Sequence, residues 1–97
     1  MATQTVIVTG GATGLGYAIA EGFLTTGANV MLNGRTLSKL EGAAQKLNQP
    51  DRIHVVAGDI TDPAFAPKLV AETVAMFGRV DVLVNNAGIF ALKNFTN

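Results

Sequence analysis

The 97-residue sequence contains no cysteine and no tryptophan, and only 14% of its residues are charged. Without cysteine, the chain has no disulfide framework, no thiol nucleophile and no cysteine-ligated zinc finger. Seven basic and seven acidic residues give a formal net charge of zero at pH 7. A nucleic acid partner would call for a basic face, so we expect no nucleic acid partner.

Long apolar runs are also missing. No stretch approaches the ~20 apolar residues that span a bilayer, and the opening MATQTVIVTGG lacks the basic segment of a signal peptide. We therefore expect a cytoplasmic protein with no membrane partner. The length predicts one small domain, residues 1–97, with a thin core.

Apolar runs of strand length alternate with amphipathic segments of helix length. The pattern predicts a βαβαβαβ order, because strands buried on both faces read as continuous Val- and Ile-rich runs and parallel strands need crossover helices. The fold class predicted is α/β, the N-terminal half of a Rossmann-like, doubly wound parallel sheet. The strands are expected at Thr5–Thr9, Asn29–Asn33, Ile53–Ala57 and Val80–Asn85, and the first two helices at Leu15–Thr26 and Leu37–Leu47.

A third helix is expected between the last two strands. Asp62 and Pro63 have the character of a cap and a first turn, and Gly78 is placed to end the helix. Pro67 lacks a backbone donor, so we expect the regular helix to begin only at Pro67.

The stretch Thr9-Gly10-Gly11-Ala12-Thr13-Gly14-Leu15-Gly16 lies between the first strand and the first helix. Glycines at this place let the backbone turn tightly and approach a pyrophosphate, whose charge the helix N-terminus would meet. Taken alone, such a stretch is only a weak indication of pyrophosphate binding, because a purely structural tight turn also uses glycine.

Two further motifs follow in order. Asp59-Ile60 comes after the third predicted strand, and Asn85-Asn86-Ala87-Gly88 after the fourth. With TGxxxGxG, these motifs make the sequence resemble the short-chain dehydrogenase/reductase family, over the N-terminal part of that family's pattern. The resemblance implies an NAD(P)-dependent oxidoreductase that transfers hydride between a dinucleotide cofactor and a small carbonyl or alcohol substrate.

The resemblance also implies roles for individual residues. The glycine-rich turn would line the pyrophosphate and ribose, Asp59 would bind the adenine amino group, and Ile60 would pack on the ring. A turn-forming role for Asp59 and a sheet-bridging role for Asn85 are the structural alternatives. The cofactor-binding residues expected are Gly10, Thr13, Gly14, Leu15, Gly16, Arg35, Asp59, Ile60, Asn86, Ala87 and Gly88.

The end of the second strand bears on cofactor choice. An acid there would take the ribose hydroxyls of NAD, whereas this sequence has Asn33-Gly34-Arg35. A guanidinium matches a 2′-phosphate, so NADP is favoured, with Lys39 as a candidate assistant. Gly34 leaves room for either nucleotide, so NAD stays an alternative, and both basic residues could instead be solvated.

The catalytic residues that the resemblance implies are not found in the 97-residue sequence. Family members use a Tyr-x-x-x-Lys pair and a Ser, but the single tyrosine, Tyr17, is followed four residues later by Glu21. Ser38 and His54 fall on different predicted elements, so a hydrolytic triad is not expected. No catalytic residue and no metal site is assigned, and the 97-residue chain alone is expected to be inactive.

Two alternatives stay open beside the oxidoreductase hypothesis. The chain could be a dinucleotide-binding module without catalysis, or an assembly module that folds with a second chain. The apolar VDVLV run predicts an unpaired sheet edge, which favours aggregation or a homo-oligomer.

Overall fold

A computed structural model of the chain describes residues 3–86. Four strands and three helices alternate along it, as the sequence predicts. They are β1 (Thr5–Thr9), α1 (Gly14–Thr25), β2 (Asn29–Gly34), α2 (Leu37–Leu47), β3 (Ile53–Ala57), α3 (Phe65–Phe77) and β4 (Val82–Asn85). Among these residues no helix has both the length and the apolar character needed to cross a bilayer.

The four strands form one parallel sheet in the order β3-β2-β1-β4. From β1 the chain steps outward to β2 and β3, then returns to the other side of β1 with β4. Strand order therefore reverses between β1 and β4, which is the place where parallel sheets of this kind bind ligands. The α/β, Rossmann-like fold predicted from the sequence is confirmed.

The sheet is covered on both faces because its central strands are apolar on both sides. Val6, Val8 and Val30 belong to a core that includes residues of α1 and α2, whereas Ile7 and Met31 pack with Leu69 of α3. The inner strands β1 and β2 are almost wholly buried, which fixes the position of everything attached to their carboxyl ends.

The helices end where the sequence provides residues that tolerate the left-handed conformation. Gly27 follows the end of α1 with φ of 91°, Asn48 caps α2 with φ of 53°, and Gly78 caps α3 with φ of 86°. The Gly78 amide donates to the Val74 carbonyl at 2.7 Å, as a helix C-cap requires.

The start of α3 differs from the expectation. The helix begins at Phe65 and not at Pro67. Pro67 is its third residue, where a backbone N–H would have no intrahelical acceptor, so the missing donor costs no helical hydrogen bond. Asp62 closes the preceding turn, because its Oδ1 accepts from the Ala64 amide at 2.9 Å.

The last strand is shorter than expected, since β4 begins at Val82 and not at Val80. The preceding residue, Asp81, makes a two-point contact with Thr5: its amide donates to the Thr5 carbonyl at 2.9 Å, and its Oδ2 accepts from the Thr5 amide at 2.8 Å. A carboxylate thus takes the place of a backbone partner, and regular pairing with β1 begins one residue later.

Candidate functional site

A groove of about 460 Å³ lies across the carboxyl ends of the strands. It is formed by the loop after β1, the end of β2, the segment after β3 and the end of β4. Its volume falls within the range of small-molecule sites. The residues that line it are Gly10, Ala12, Thr13, Asn33, Gly34, Arg35, Thr36, Lys39, Gly58, Asp59, Ile60, Thr61 and Asn86.

The glycine-rich loop bends tightly and lets α1 approach the sheet. Gly10 has φ of 65° and Gly14 has φ of 53°, a region that L residues rarely adopt. Gly16 is buried in the first turn of α1, and a Cβ placed there would collide with the carbonyl oxygen of Gly10. The helix N-terminus, with its unpaired amides and positive dipole end, therefore lies directly against the loop.

Thr9 joins the glycine-rich loop to the end of β4. Its hydroxyl donates toward Asn85 Oδ1 at 3.1 Å and the Val84 carbonyl at 3.3 Å, and accepts from the Asn86 amide at 2.9 Å. Asn86 Nδ2 reaches the Gly10 carbonyl at 3.5 Å. These contacts place Asn86 at the groove, and the contact with Thr9 agrees with a sheet-bridging role for Asn85.

The end of β2 is tied to the segment after β3. The buried side chain of Asn33 donates through Nδ2 to the carbonyls of Val56 at 2.9 Å and Gly58 at 3.3 Å. The Gly58 amide donates to the Gly34 carbonyl at 2.9 Å. Gly58 is packed against the ring of Phe65, so a Cβ would collide with that ring. These contacts therefore fix the position of the backbone segment that leads from β3 to Asp59.

Among the residues that line the groove, Asp59 is the single acid. Its Oδ1 accepts from the Thr61 hydroxyl at 2.6 Å, the Thr61 amide at 2.9 Å and Arg35 Nη2 at 3.4 Å. The Thr61 hydroxyl and amide, with a smaller contribution from the Arg35 charge, hold the pKa of Asp59 below its ordinary value of 3.8. Asp59 is therefore a carboxylate at neutral pH, consistent with the turn-forming role as well as with ligand binding.

The expected site residues divide into three sets. Six of them line the groove together: Gly10, Thr13, Arg35, Asp59, Ile60 and Asn86. Gly14, Leu15 and Gly16 do not line it, because Gly14 opens on a neighbouring groove, Leu15 is 65% exposed and Gly16 is buried beneath the loop. Ala87 and Gly88 lie outside the described residues.

Several residues of the groove were not singled out as binding residues from the sequence. Thr61 and Gly58 are the clearest cases. An Asp followed two residues later by Thr is a turn signal that could have indicated Thr61. No local signal indicates that Asn33 would bridge two strand ends, because its partners are 23 and 25 residues away.

A second groove of about 640 Å³ lies between α1 and α2. Tyr17, Gly42 and Lys46 contribute to its lining, and it shares Ala12, Thr13 and Lys39 with the first groove. Tyr17 thus lies on α1, where its side chain is partly buried against the core. In the described part of the chain, no group of three or more acidic and histidine residues could hold a metal ion.

Comparison with known proteins relates the chain to a family of oxidoreductases. A family profile described as short chain dehydrogenase matches residues 4–97. An NADP-dependent (R)-specific alcohol dehydrogenase of Lentilactobacillus kefiri is 42% identical over 91 residues, covering 94% of this chain and 36% of that protein.

Two solved structures share the fold. L-Sorbose reductase of Gluconobacter frateurii, complexed with NADPH and L-sorbose, matches with a TM-score of 0.82 and 37% identity, over 91% of this chain and 34% of that one. A 3-ketoacyl-(acyl-carrier-protein) reductase of Brucella melitensis, complexed with NADH, matches with a TM-score of 0.81 and 34% identity, over 89% of this chain and 35% of that one.

The chain spans between 30% and 52% of the length of the curated relatives that it matches. The matched segment nevertheless includes the glycine-rich loop, the Asp59 segment and the end of β4. This chain belongs to the short chain dehydrogenase family of oxidoreductases.

Proposed function

We propose that the chain binds NADP(H) in the groove at the carboxyl ends of the strands, as the cofactor-binding portion of an oxidoreductase acting on a carbonyl or alcohol. One observation carries this proposal. The close contact between Gly10 and Gly16 holds the N-terminus of α1 against the glycine-rich loop, and the N-cap residue Thr13 lines the groove, so the positive end of the helix dipole would favour an anion there.

The pyrophosphate would lie along the glycine-rich loop. Gly10 and Thr13 line the groove, and Thr13 offers a hydroxyl at its rim. Gly14, Leu15 and Gly16 would contribute backbone amides of the first helical turn, so the exposure of the Leu15 side chain is no obstacle. The positive φ of Gly14 fits a backbone that approaches a ligand closely.

The adenosine half would lie between the ends of β2 and β3. The hydrogen bonds of Asp59 that are formed within residues 3–86 reach Oδ1, so Oδ2 can accept from the adenine amino group. Ile60 offers an apolar surface to the ring. Arg35, whose side chain is 74% exposed, can turn to a 2′-phosphate, and Lys39 lines the same groove.

The nicotinamide half would follow the end of β4. Asn86 lines the groove there, held by Thr9, and we assign Ala87 and Gly88 to the same binding segment. The nicotinamide ring would supply or accept the hydride. The residues of this chain bind and orient the dinucleotide, and the relatives named as an alcohol dehydrogenase and a sorbose reductase favour a carbonyl or alcohol as the second substrate.

Turnover by the 97 residues alone is not part of the proposal. The only tyrosine of the sequence is Tyr17 on α1, and residue 21 is Glu and not Lys. A second candidate function is a dinucleotide-binding or assembly module without catalysis, which is favoured by the position of β4 at the edge of the sheet within residues 3–86 and by the exposure of Leu83 on it. Because the 97 residues are not expected to turn over in either case, the assembly module is distinguished by folding that depends on the concentration of the chain.

The main proposal is tested by isothermal titration calorimetry of the 97-residue chain with NADPH and, separately, with NADH. Arg35→Gln should weaken binding of NADPH and leave that of NADH nearly unchanged. Lys68→Gln, which removes an exposed charge on α3 away from the groove, is the matched control and should change neither. Equal loss of both dinucleotides in Arg35→Gln would contradict the NADP(H) assignment, and no binding of either would contradict the site.

The absence of cysteine suits a reducing compartment, so we also propose a cytoplasmic location. Self-association of the chain is proposed from the apolar surface of β4, and its test is given in the Discussion.

A further inference from the structure

Arg35 and Asp59 face each other across the groove from neighbouring strands. Arg35 follows the end of β2 and Asp59 lies two residues beyond β3, and their charged groups approach to 3.4 Å between Nη2 and Oδ1. Both line the groove. A nucleotide bound in the groove would therefore lie beside a cation and an anion that already contact each other.

The contact is long for a charge-assisted hydrogen bond, which is usually 2.7–2.9 Å. The two side chains are 74% and 46% exposed. Water screens a pair of this kind, so it is easily separated. Asp59 is held on its side by Thr61, whereas Arg35 has the long side chain that can change partner.

We infer that Asp59 is a specificity-determining residue that competes with a ribose 2′-phosphate for Arg35 and so limits the preference of the groove for NADP(H) over NAD(H). The inference rests on the proposed function and deepens it. Arg35 supplies the attraction for the phosphate, and Asp59 supplies an opposing charge beside it. A residue expected only to recognise adenine, which both dinucleotides contain, would thus also influence the choice between them.

The direction of the effect follows from charge. A 2′-phosphate bound to Arg35 lies near the Asp59 carboxylate, so it loses part of the cation's attraction and gains a like-charge repulsion. A nucleotide with a 2′-hydroxyl has no charge at this position, so neither effect lowers its affinity. Removing the Asp59 charge should therefore raise the affinity for the phosphorylated nucleotide relative to the unphosphorylated one, even if adenine recognition weakens for both.

The experiment uses two nucleotides that differ only in the phosphate at issue, adenosine 2′,5′-bisphosphate and 5′-AMP. Their dissociation constants are measured by calorimetry on the wild-type chain, Asp59→Asn, Arg35→Gln and the double variant. Asp62→Asn is the matched control, because it removes the same charge three residues away, outside the groove, and keeps an oxygen for the Ala64 amide.

We expect the affinity ratio of bisphosphate to AMP to rise roughly two- to fivefold in Asp59→Asn, the range typical of exposed ion pairs. In the Arg35→Gln background the same change should have a smaller effect, since the competition acts through Arg35. Asp62→Asn should leave the ratio unchanged. Asp59→Ser, also uncharged, serves if Asp59→Asn does not fold.

An unchanged ratio in both Asp59 variants, with both nucleotides still bound, overturns the inference and leaves the proposed function standing. Equal weakening of both nucleotides is the pattern of a residue that only holds the Thr61 turn, and it overturns the inference in the same way. An equal effect of Asp59→Asn with and without Arg35 overturns the competition. Failure of the wild-type chain to bind either nucleotide overturns the proposed function and the inference together.

Discussion

The backbone amide of Asn86 donates a 2.9 Å hydrogen bond to the hydroxyl of Thr9, 77 residues earlier in the chain. The same hydroxyl contacts Asn85 Oδ1 and the Val84 carbonyl, so one fully buried side chain links the glycine-rich loop to the end of β4. The two strands between which the sheet order reverses are thereby fixed to each other at the groove.

Replacement of Thr9 by Val should separate these two strand ends. The substitution keeps the shape but leaves the Asn86 amide without its acceptor, so we expect the free energy of unfolding to fall by about 1–3 kcal/mol. Thr9→Ser keeps the hydroxyl and should retain most of the stability and of the NADPH affinity. Urea denaturation and NADPH titration measure the two effects, and equal behaviour of the two variants would contradict the bridging role.

Addition of one methyl group at Gly16 should disrupt the site. In Gly16→Ala the Cβ collides with the Gly10 carbonyl, so α1 must move away from the loop, at a cost of roughly 1–3 kcal/mol. Binding of NADPH should be lost or greatly weakened.

Gly22→Ala is the control within the same helix. A Cβ at Gly22 meets no atom within 4 Å, and alanine favours the helix by about 0.5–1 kcal/mol. Thermal unfolding should therefore show Gly22→Ala stabilised and Gly16→Ala destabilised. A Gly16→Ala chain that binds NADPH as the wild type does would rule out close packing of α1 on the loop.

Asp81 should make the stability of the chain sensitive to acid. Hydrogen bonds from Arg79, and then from the Thr5 amide, hold the pKa of Asp81 below its ordinary value of 3.8. Because the folded-state pKa lies below the unfolded one, the stabilisation is complete above about pH 5 and is lost as pH falls through the unfolded-state and then the folded-state value.

Asp81→Asn should therefore lose less stability than the wild type between pH 5 and pH 2.5, although it is less stable at pH 7. Urea unfolding at a series of pH values measures this, with the exposed Asp51→Asn as the charge-matched control. If the free energies of unfolding of the wild type and of Asp81→Asn fall in parallel as pH is lowered, Asp81 does not cause the acid sensitivity.

The edge of β4 should promote association of the 97-residue chain. Within residues 3–86, β4 pairs only with β1, and Leu83 is 45% exposed on it. Val70, Val74 and Met76 of α3 add further exposed apolar surface. We expect sedimentation velocity to show concentration-dependent association, which Leu83→Lys reduces because a lysine on an edge strand discourages strand addition. A monomer at all concentrations in the wild type would contradict this expectation.

The positions of the motifs could be predicted from the sequence, because each motif adjoins a strand or helix whose apolar pattern is strong. The contacts between motifs could not. Arg35 and Asp59 are 24 residues apart, and they meet only because β2 and β3 pair in a register that places Gly34 beside Ala57. The sequence indicated each residue as a ligand contact and gave no sign that they would contact each other.

Two predicted element boundaries were wrong, the start of β4 and the start of α3. In β4 a side chain replaces a backbone partner, and in α3 the place of a proline within the helix differs from the expected one. The Asp81 carboxylate accepts the Thr5 amide and delays the start of β4. Pro67 was expected to open α3, but a proline is compatible with the third position of a helix as well. Both errors concern one or two residues at element ends, where sequence patterns carry the least information.

The most direct test of the claim that the groove binds NADP(H) is a titration of the isotope-labelled chain with NADPH, in which NMR reports the amide chemical shift of each residue. The account predicts saturable shifts confined to the glycine-rich loop and first turn of α1, to the ends of β2 and β3 around Arg35 and Asp59, and to residues 86–88. Shifts that fall mainly elsewhere, such as on α3, or the absence of saturable shifts in a folded chain, would contradict it.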